Sequence, residues 1–217
     1  MDMAEMQWKS VVSMGTKRFA CTAVAQGQHI YAIGGGLQDN TLEIVERMDV
    51  ATGRWEAVVS MGTKRCGCPA VVQGHHMYAI GGKGNGDGNF LRSVERMDVV
   101  TGQWEAVASM GTARWECAAV VLGQHIYVMG GRNDGSNYLE TVERMDLATG
   151  QWEVVASMGT KRFGCAAVVY GQHIYVMGGD TRMVERMDAA TGRWEAEASL
   201  CTNRYWCAAV VQGHHIY

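Results

Sequence analysis

Short apolar runs recur along the whole chain, and each is cut off within a few residues by glycine or a polar pair. One cycle shows the pattern: extended segments are predicted at residues 68–72, 77–80, 93–98 and 104–108. The first two are joined by Gln73-Gly74-His75, and the last two by a turn that contains Thr101-Gly102. Glycine fits such a turn because it adopts positive φ at little cost. The single proline, Pro69, falls in a first strand, which suits an edge whose N–H side is unpaired. Short strands at regular spacing with turn chemistry between them predict an all-β fold.

The cycle is an internal repeat. Trp8, Trp55, Trp104, Trp152 and Trp194 mark its register, with spacings of 47, 49, 48 and 42. Each unit runs W, S-M-G-T-x-R, C-x-A-V, G-x-H-x-Y, G-G, V-E-R-M-D and T-G-x-W; the last has Leu200 and Cys201 in place of M-G and stops at Tyr217. Between the second glycine of G-G and the Val of V-E-R-M-D lie 9, 11, 10 and 4 residues. Removing that loop leaves 38 residues in each of the four full units. One loop therefore absorbs all length variation, as expected of a rigid scaffold with one variable surface feature. Four strands per unit of about 40–50 residues predict propeller blades. The whole chain, 1–217, reads as one domain with units at about 8–54, 55–103, 104–151, 152–193 and a partial 194–217.

The repeat carries a resemblance. Gly130-Gly131-Arg132-Asn133-Asp134-Gly135, then Tyr138-Leu139, Val142-Glu143-Arg144-Met145-Asp146 and Thr149-Gly150-Gln151-Trp152, with Tyr127 three residues before the double glycine, resembles a kelch repeat. The likeness covers essentially the whole chain and recurs four times in full. It implies a kelch-type β-propeller of four-stranded antiparallel blades, with four full repeats and a fifth, incomplete blade formed from both termini. One departure is Met48, Met97, Met145 and Met187, where kelch repeats usually carry Tyr; an adaptable apolar side chain can fill the same inter-blade space.

Met1-Asp2 aligns with the M-D that closes a third strand, so the chain starts just before a fourth strand and ends inside a second. The fifth blade would lack its third strand. A piece of a longer array is the leading expectation. A defective five-bladed ring and completion by a second chain, hence self-association through the incomplete blade, stand beside it.

In an antiparallel meander alternate connections lie at opposite ends, so S-M-G-T-x-R and the variable loop share one face. That face differs between units, while the other is nearly uniform. By resemblance to kelch substrate adaptors, the start of the first strand and the positions after the double glycine line a peptide-binding face. The candidates there are the repeated Arg18, Arg65, Arg114, Arg162 and Arg204, and the variable residues that follow them: Phe19, Cys66, Trp115, Phe163 and Tyr205. Lys83 and Arg132 join them from the post-glycine position. Arginine and aromatics are common interface anchors. A ring of guanidinium forks suits carboxylates, which points to an acidic peptide or protein loop as partner. The competing reading has each Arg paired with the repeated Glu46, Glu95, Glu143 or Glu185.

Composition narrows the field further. The net charge of −3 argues against a general electrostatic grip on nucleic acid or an acidic membrane. The N-terminus has no signal-peptide pattern and the apolar runs are too short to span a bilayer, so the expected location is cytoplasmic. Five of seven cysteines, Cys21, Cys68, Cys117, Cys165 and Cys207, recur at one place per unit, which argues for packing rather than a disulfide framework. Cys66, nearer the loop, is the better candidate for a reactive thiol. Histidines repeat at five equivalent turns (His29, His76, His125, His173, His215), which suits a surface or packing role. The stretch 84–89 lacks the spaced carboxylates of a calcium loop and the Lys-Ser/Thr of a phosphate loop. No metal or cofactor is expected. With near-identical repeats and no unique pocket acid or base in view, the expected function is non-catalytic binding, with a substrate-adaptor role implied by the resemblance. The alternatives are a kelch-fold enzyme with an axial-pocket site and an amplified array with no specific ligand.

Overall fold

The computed structural model describes residues 10–86, 89–135 and 137–217. Trp8 and the Met1-Asp2 start, where an outer strand was expected, lie outside the described residues, as do Asp87 and Gly88 of the glycine-rich loop. The described residues form strands, turns and loops, with no helix. Four four-stranded antiparallel sheets form the blades of a β-propeller. The first blade is Thr22–Gln26, His29–Ile33, Val45–Asp49 and Trp55–Val58; the second is Ala70–Gln73, His76–Ile80, Val94–Asp98 and Trp104–Val107. The third is Ala118–Leu122, His125–Met129, Val142–Asp146 and Trp152–Val155; the fourth is Cys165–Tyr170, His173–Gly178, Val184–Asp188 and Trp194–Glu197. A two-stranded hairpin, Val211–Gln212 with His215–Ile216, follows.

Two strands of the second blade begin later than the sequence predicts. The first starts at Ala70, because Pro69 has no N–H to give to the ladder; its carbonyl still accepts from Ile80 N at 3.1 Å. The third starts at Val94, because the Ser93 carbonyl is taken by Gly81 N and Arg65 Nη1. The first variable loop also contains an unexpected small hairpin, Gly36–Leu37 with Asn40–Thr41.

The core lies between blades. Second strands sit mid-sheet and are covered on both faces by neighbouring blades, so Ile33, Met77, Ile80, Ile126, Met129 and Ile174 are fully buried. The methionines at the variant kelch position fill the same seam: Met97 packs with Tyr31 and Ile33 of the preceding blade, Met145 with Tyr78 and Ile80, and Met187 with Tyr127 and Met129. The repeat-marking tryptophans stitch blade to blade. Trp55, Trp104, Trp152 and Trp194 donate Nε1–H to the carbonyls of Val12, Val59, Ala108 and Ala156 at 2.8–3.0 Å.

Candidate functional site

The repeated arginines are internal clasps, which corrects the expectation of a guanidinium ring open to a carboxylate ligand. Arg65, Arg114 and Arg162 are wholly buried, and the Arg18 side chain is too. Each pairs with the glutamate of its own blade: Arg18–Glu46 at 2.5 Å, Arg65–Glu95 at 3.0 Å, Arg114–Glu143 at 3.1 Å and Arg162–Glu185 at 2.8 Å. The other terminal nitrogen, Nη1, donates to two carbonyls. One belongs to the first glycine of G-G (Gly34, Gly81, Gly130, Gly178), and the other precedes the Val of V-E-R-M-D (Ile44, Ser93, Thr141, Met183). Those carbonyls are the two ends of the variable loop. One guanidinium therefore holds both ends together whether the loop is long or short.

The glutamate also explains S-M-G-T. Its carboxylate accepts the backbone N–H of Gly62, Gly111 or Gly159 at 2.6 Å. A Cβ on those glycines would stand 2.9–3.1 Å from the same oxygen. In the last unit Cys201 stands at the place of this glycine, and Arg204 is exposed. The double glycine has a separate cause. Gly34, Gly81, Gly130 and Gly178 have positive φ, and a Cβ there would press on the carbonyl of the next unit's Arg. The second glycine donates to that carbonyl at 2.8 Å in each case.

The residue two places after each Arg forms a belt around the axis. Ala20, Gly67, Glu116, Gly164 and Trp206 all have positive φ, and four backbone bonds link them in sequence: Gly67 to Ala20, Glu116 to Gly67, Gly164 to Glu116 and Trp206 to Gly164, at 2.8–2.9 Å. Below the belt the first strands enclose an axial cavity of about 880 Å³. Its wall is mostly Ala and Cys. Burial pushes the thiols up, to about 11 for Cys68 and Cys165 and about 12 for Cys117. Cys66 is also buried and raised by desolvation, which corrects its reading as the reactive, partner-facing thiol.

Around the mouth lies an arc of aromatics. Phe90 stacks on Trp115 at 5.4 Å, and Trp115 meets Phe163 edge-on at 5.3 Å. Phe163 stacks on Tyr138 at 5.2 Å and touches Trp206, which packs on Tyr205. Of the aromatic candidates, Phe19 and Tyr205 are exposed and Trp115 is half-buried; Phe163 is buried under its neighbours and is the centre of the arc, not a free anchor. Phe90, Tyr138 and Trp206 were not foreseen. Phe90 and Tyr138 lie on loops that vary in length, so only folding brings them to the first-strand aromatics; Trp206 is at a fixed repeat position, two residues after Arg204. Lys83 and Arg132 reach this place through bridges to Cys66 and Trp115, and Lys83 Nζ lies 6.0 Å from the Trp115 ring centre.

Glu116 corrects a second expectation, that no unique acid occupies the axial pocket. It alone among the five belt positions is charged, and among the described residues it is the one charged residue lining the cavity. Its Oε2 is buried without a hydrogen-bond partner, as are Trp115 Nε1 and Arg132 Nε. Burial holds its carboxyl up at about 7. The histidines lie at the opposite face, where His29, His125 and His173 stand 3.4–4.0 Å from Asp49, Asp146 and Asp188. Among the described residues no three His, Cys, Asp or Glu side chains converge as a metal site, and no helix is long and apolar enough to cross a membrane.

A family model for the KLHDC2/KLHL20/DRC7 Kelch-repeats domain matches residues 20–217. Among solved structures, one described as the structure of YjhT superposes with a TM-score of 0.85 at 14% identity, covering 94% of this chain and 77% of that one. At that identity the likeness concerns the fold. No curated protein matches the chain.

Proposed function

The chain belongs to the KLHDC2/KLHL20/DRC7 Kelch-repeats domain family, and on that premise we propose that its loop-bearing face binds a peptide or loop of a partner protein without catalysis. The observation that carries this reading is the aromatic arc from Phe90 through Trp115 and Phe163 to Tyr205 at the cavity mouth. Clustered aromatics offer large apolar area at low entropic cost, the usual make-up of a binding hot spot. The acidic-partner reading narrows with the repeated arginines turned inward. Its cationic contribution comes from Lys83 and Arg132 beside Trp115. The non-catalytic reading is supported by the cavity chemistry: thiols held at about 11 to 12 are not nucleophiles at neutral pH. A place in a ubiquitin-ligase substrate adaptor is the corresponding biological role, by family resemblance.

Panning a displayed random-peptide library on the purified chain tests the proposal. Enriched peptides are expected to carry acidic and apolar residues. They should lose about tenfold or more in affinity on Trp115→Ala, the usual cost of a hot-spot residue. Lys83→Glu and Arg132→Glu should weaken them further at low salt. Peptides indifferent to Trp115→Ala, or no enrichment, would overturn it.

A further inference from the structure

Glu116 is costly where it stands. A non-glycine residue at φ 51° is strained, and two of the equivalent belt positions, Gly67 and Gly164, use glycine. Its side chain is half-buried at a cavity wall of mostly Ala and Cys, and Oε2 is out of solvent with no hydrogen-bond partner. Among the described residues it is the one charged group lining the cavity. A buried carboxylate without a partner ordinarily finds a counter-charge or gives up its ionised form. The walls nearby supply what a cation favours: Phe19, Trp115 and Trp206 line the same cavity and present aromatic rings at its mouth. A metal ion is disfavoured, because one carboxylate among thiols held protonated is too small a ligand set.

We propose that the axial cavity is a binding site for an organic cation, a primary ammonium on a short alkyl chain, whose charge meets the Glu116 carboxylate beside the mouth aromatics. At about 880 Å³ the space admits such a group with accompanying water. The inference goes beyond the peptide-binding reading, since the group that recognises the ligand is the belt carboxyl and not the aromatic arc. The ammonium can arrive on a free amine or as the lysine side chain of a docked peptide.

Burial holds the Glu116 carboxyl at about 7, so an ammonium must draw it into its ionised form and release a proton near neutral pH. Affinity therefore rises with pH through that range. The other titratable groups facing it are Cys66, Cys68, Cys117, Cys165, Cys21 and Cys207 on the cavity wall. Those with a resolved shift titrate well above this window. Lys83 and Arg132 stand at the mouth.

The test is ligand-observed NMR titration of the full chain with n-butylammonium, with 1-butanol as the neutral isostere. A second arm compares capped Gly-Lys-Gly with its norleucine analogue. Butylammonium is expected to bind more tightly than butanol, and more tightly at pH 8 than at pH 6. Glu116→Gln should cut its affinity by about tenfold or more, the loss that follows removal of a charge-assisted hydrogen bond. Capped Gly-Lys-Gly binding alongside the free amine places the site within reach of a docked chain; binding of the amine alone restricts the ligand to small molecules. Glu116→Gly, the residue found at two equivalent positions, gives a folded reference whose thermal melt verifies the scaffold. Equal binding of butylammonium and butanol, or unchanged binding by a folded Glu116→Gln variant, would overturn the proposal. Library peptides run on the same variants separate the two readings. Loss of ammonium binding with peptide binding intact affects this site alone, and loss on Trp115→Ala of peptide binding alone affects the arc.

Discussion

At the residue scale, the same letter plays different parts according to its partners. Arg114 is buried against Glu143 and bonded to two carbonyls, whereas Arg204 is exposed. Arg114→Ala leaves Glu143 buried without its cation and should cost about 3–5 kcal/mol in chemical denaturation. Arg204→Ala should fall within about 0.5 kcal/mol of the parent. Comparable losses at both sites would mean that the clasp is not the arginines' main task. Glu116 offers a pH signature of its own. Its carboxyl sits at about 7 in the folded chain, against about 4.3 when unfolded. Between those values the folded state holds the extra proton, so this contribution to stability is full below the lower value. It is lost as pH rises through the upper one. Melting temperatures measured from pH 4 to 8 should show that decline in the parent and not in Glu116→Gln; parallel curves would place the carboxyl in water.

At the element scale, the arginine clasp separates loop length from blade geometry. Gly81 and Ser93 are held by the same Arg65 Nη1 although 11 residues separate Gly82 from Val94. Replacing residues 83–93 with the four-residue loop 180–183 of the fourth blade should leave the fold intact. Closure entropy changes by only about 0.6 kcal/mol per doubling of loop length. A broad, non-cooperative melt would show that the loop itself organises the blade. The glycines behave by place as well. Gly74 has positive φ with open space around it, so Gly74→Ala should cost about 1–2 kcal/mol for the left-handed backbone alone. Gly82→Ala meets the Cys68 Cβ at 2.8 Å and the Cys66 carbonyl at 2.9 Å, and should cost clearly more in the same denaturation assay.

At the scale of the whole molecule, the blades share one core through their seams, and cooperativity should follow the seams. Hydrogen exchange is expected to be slowest in His76–Ile80 and His125–Met129, covered on both faces, and fastest in His215–Ile216, where the last unit has neither clasp nor full sheet. Uniform protection would contradict that order. The strands, the repeat, the one variable loop and the propeller class were legible in the chain by itself, because backbone pairing and inter-blade packing impose the same short pattern in every unit. The methionine seam was legible too, since an apolar residue in a fixed register has few other places to go. What the repeated arginines do required the fold. Sequence places Arg65 beside the variable residue Cys66 and sees two possible fates, and only tertiary packing decides that Glu95 and the loop carbonyls enclose it. Phe90 and Tyr138 meet Trp115 and Phe163 through loops of unequal length, which no spacing rule aligns. Glu116 shows the limit most plainly. In the sequence it is one acidic letter after a tryptophan. In the structure a left-handed backbone sets it at the wall of the axial cavity, where Oε2 is out of solvent with no hydrogen-bond partner.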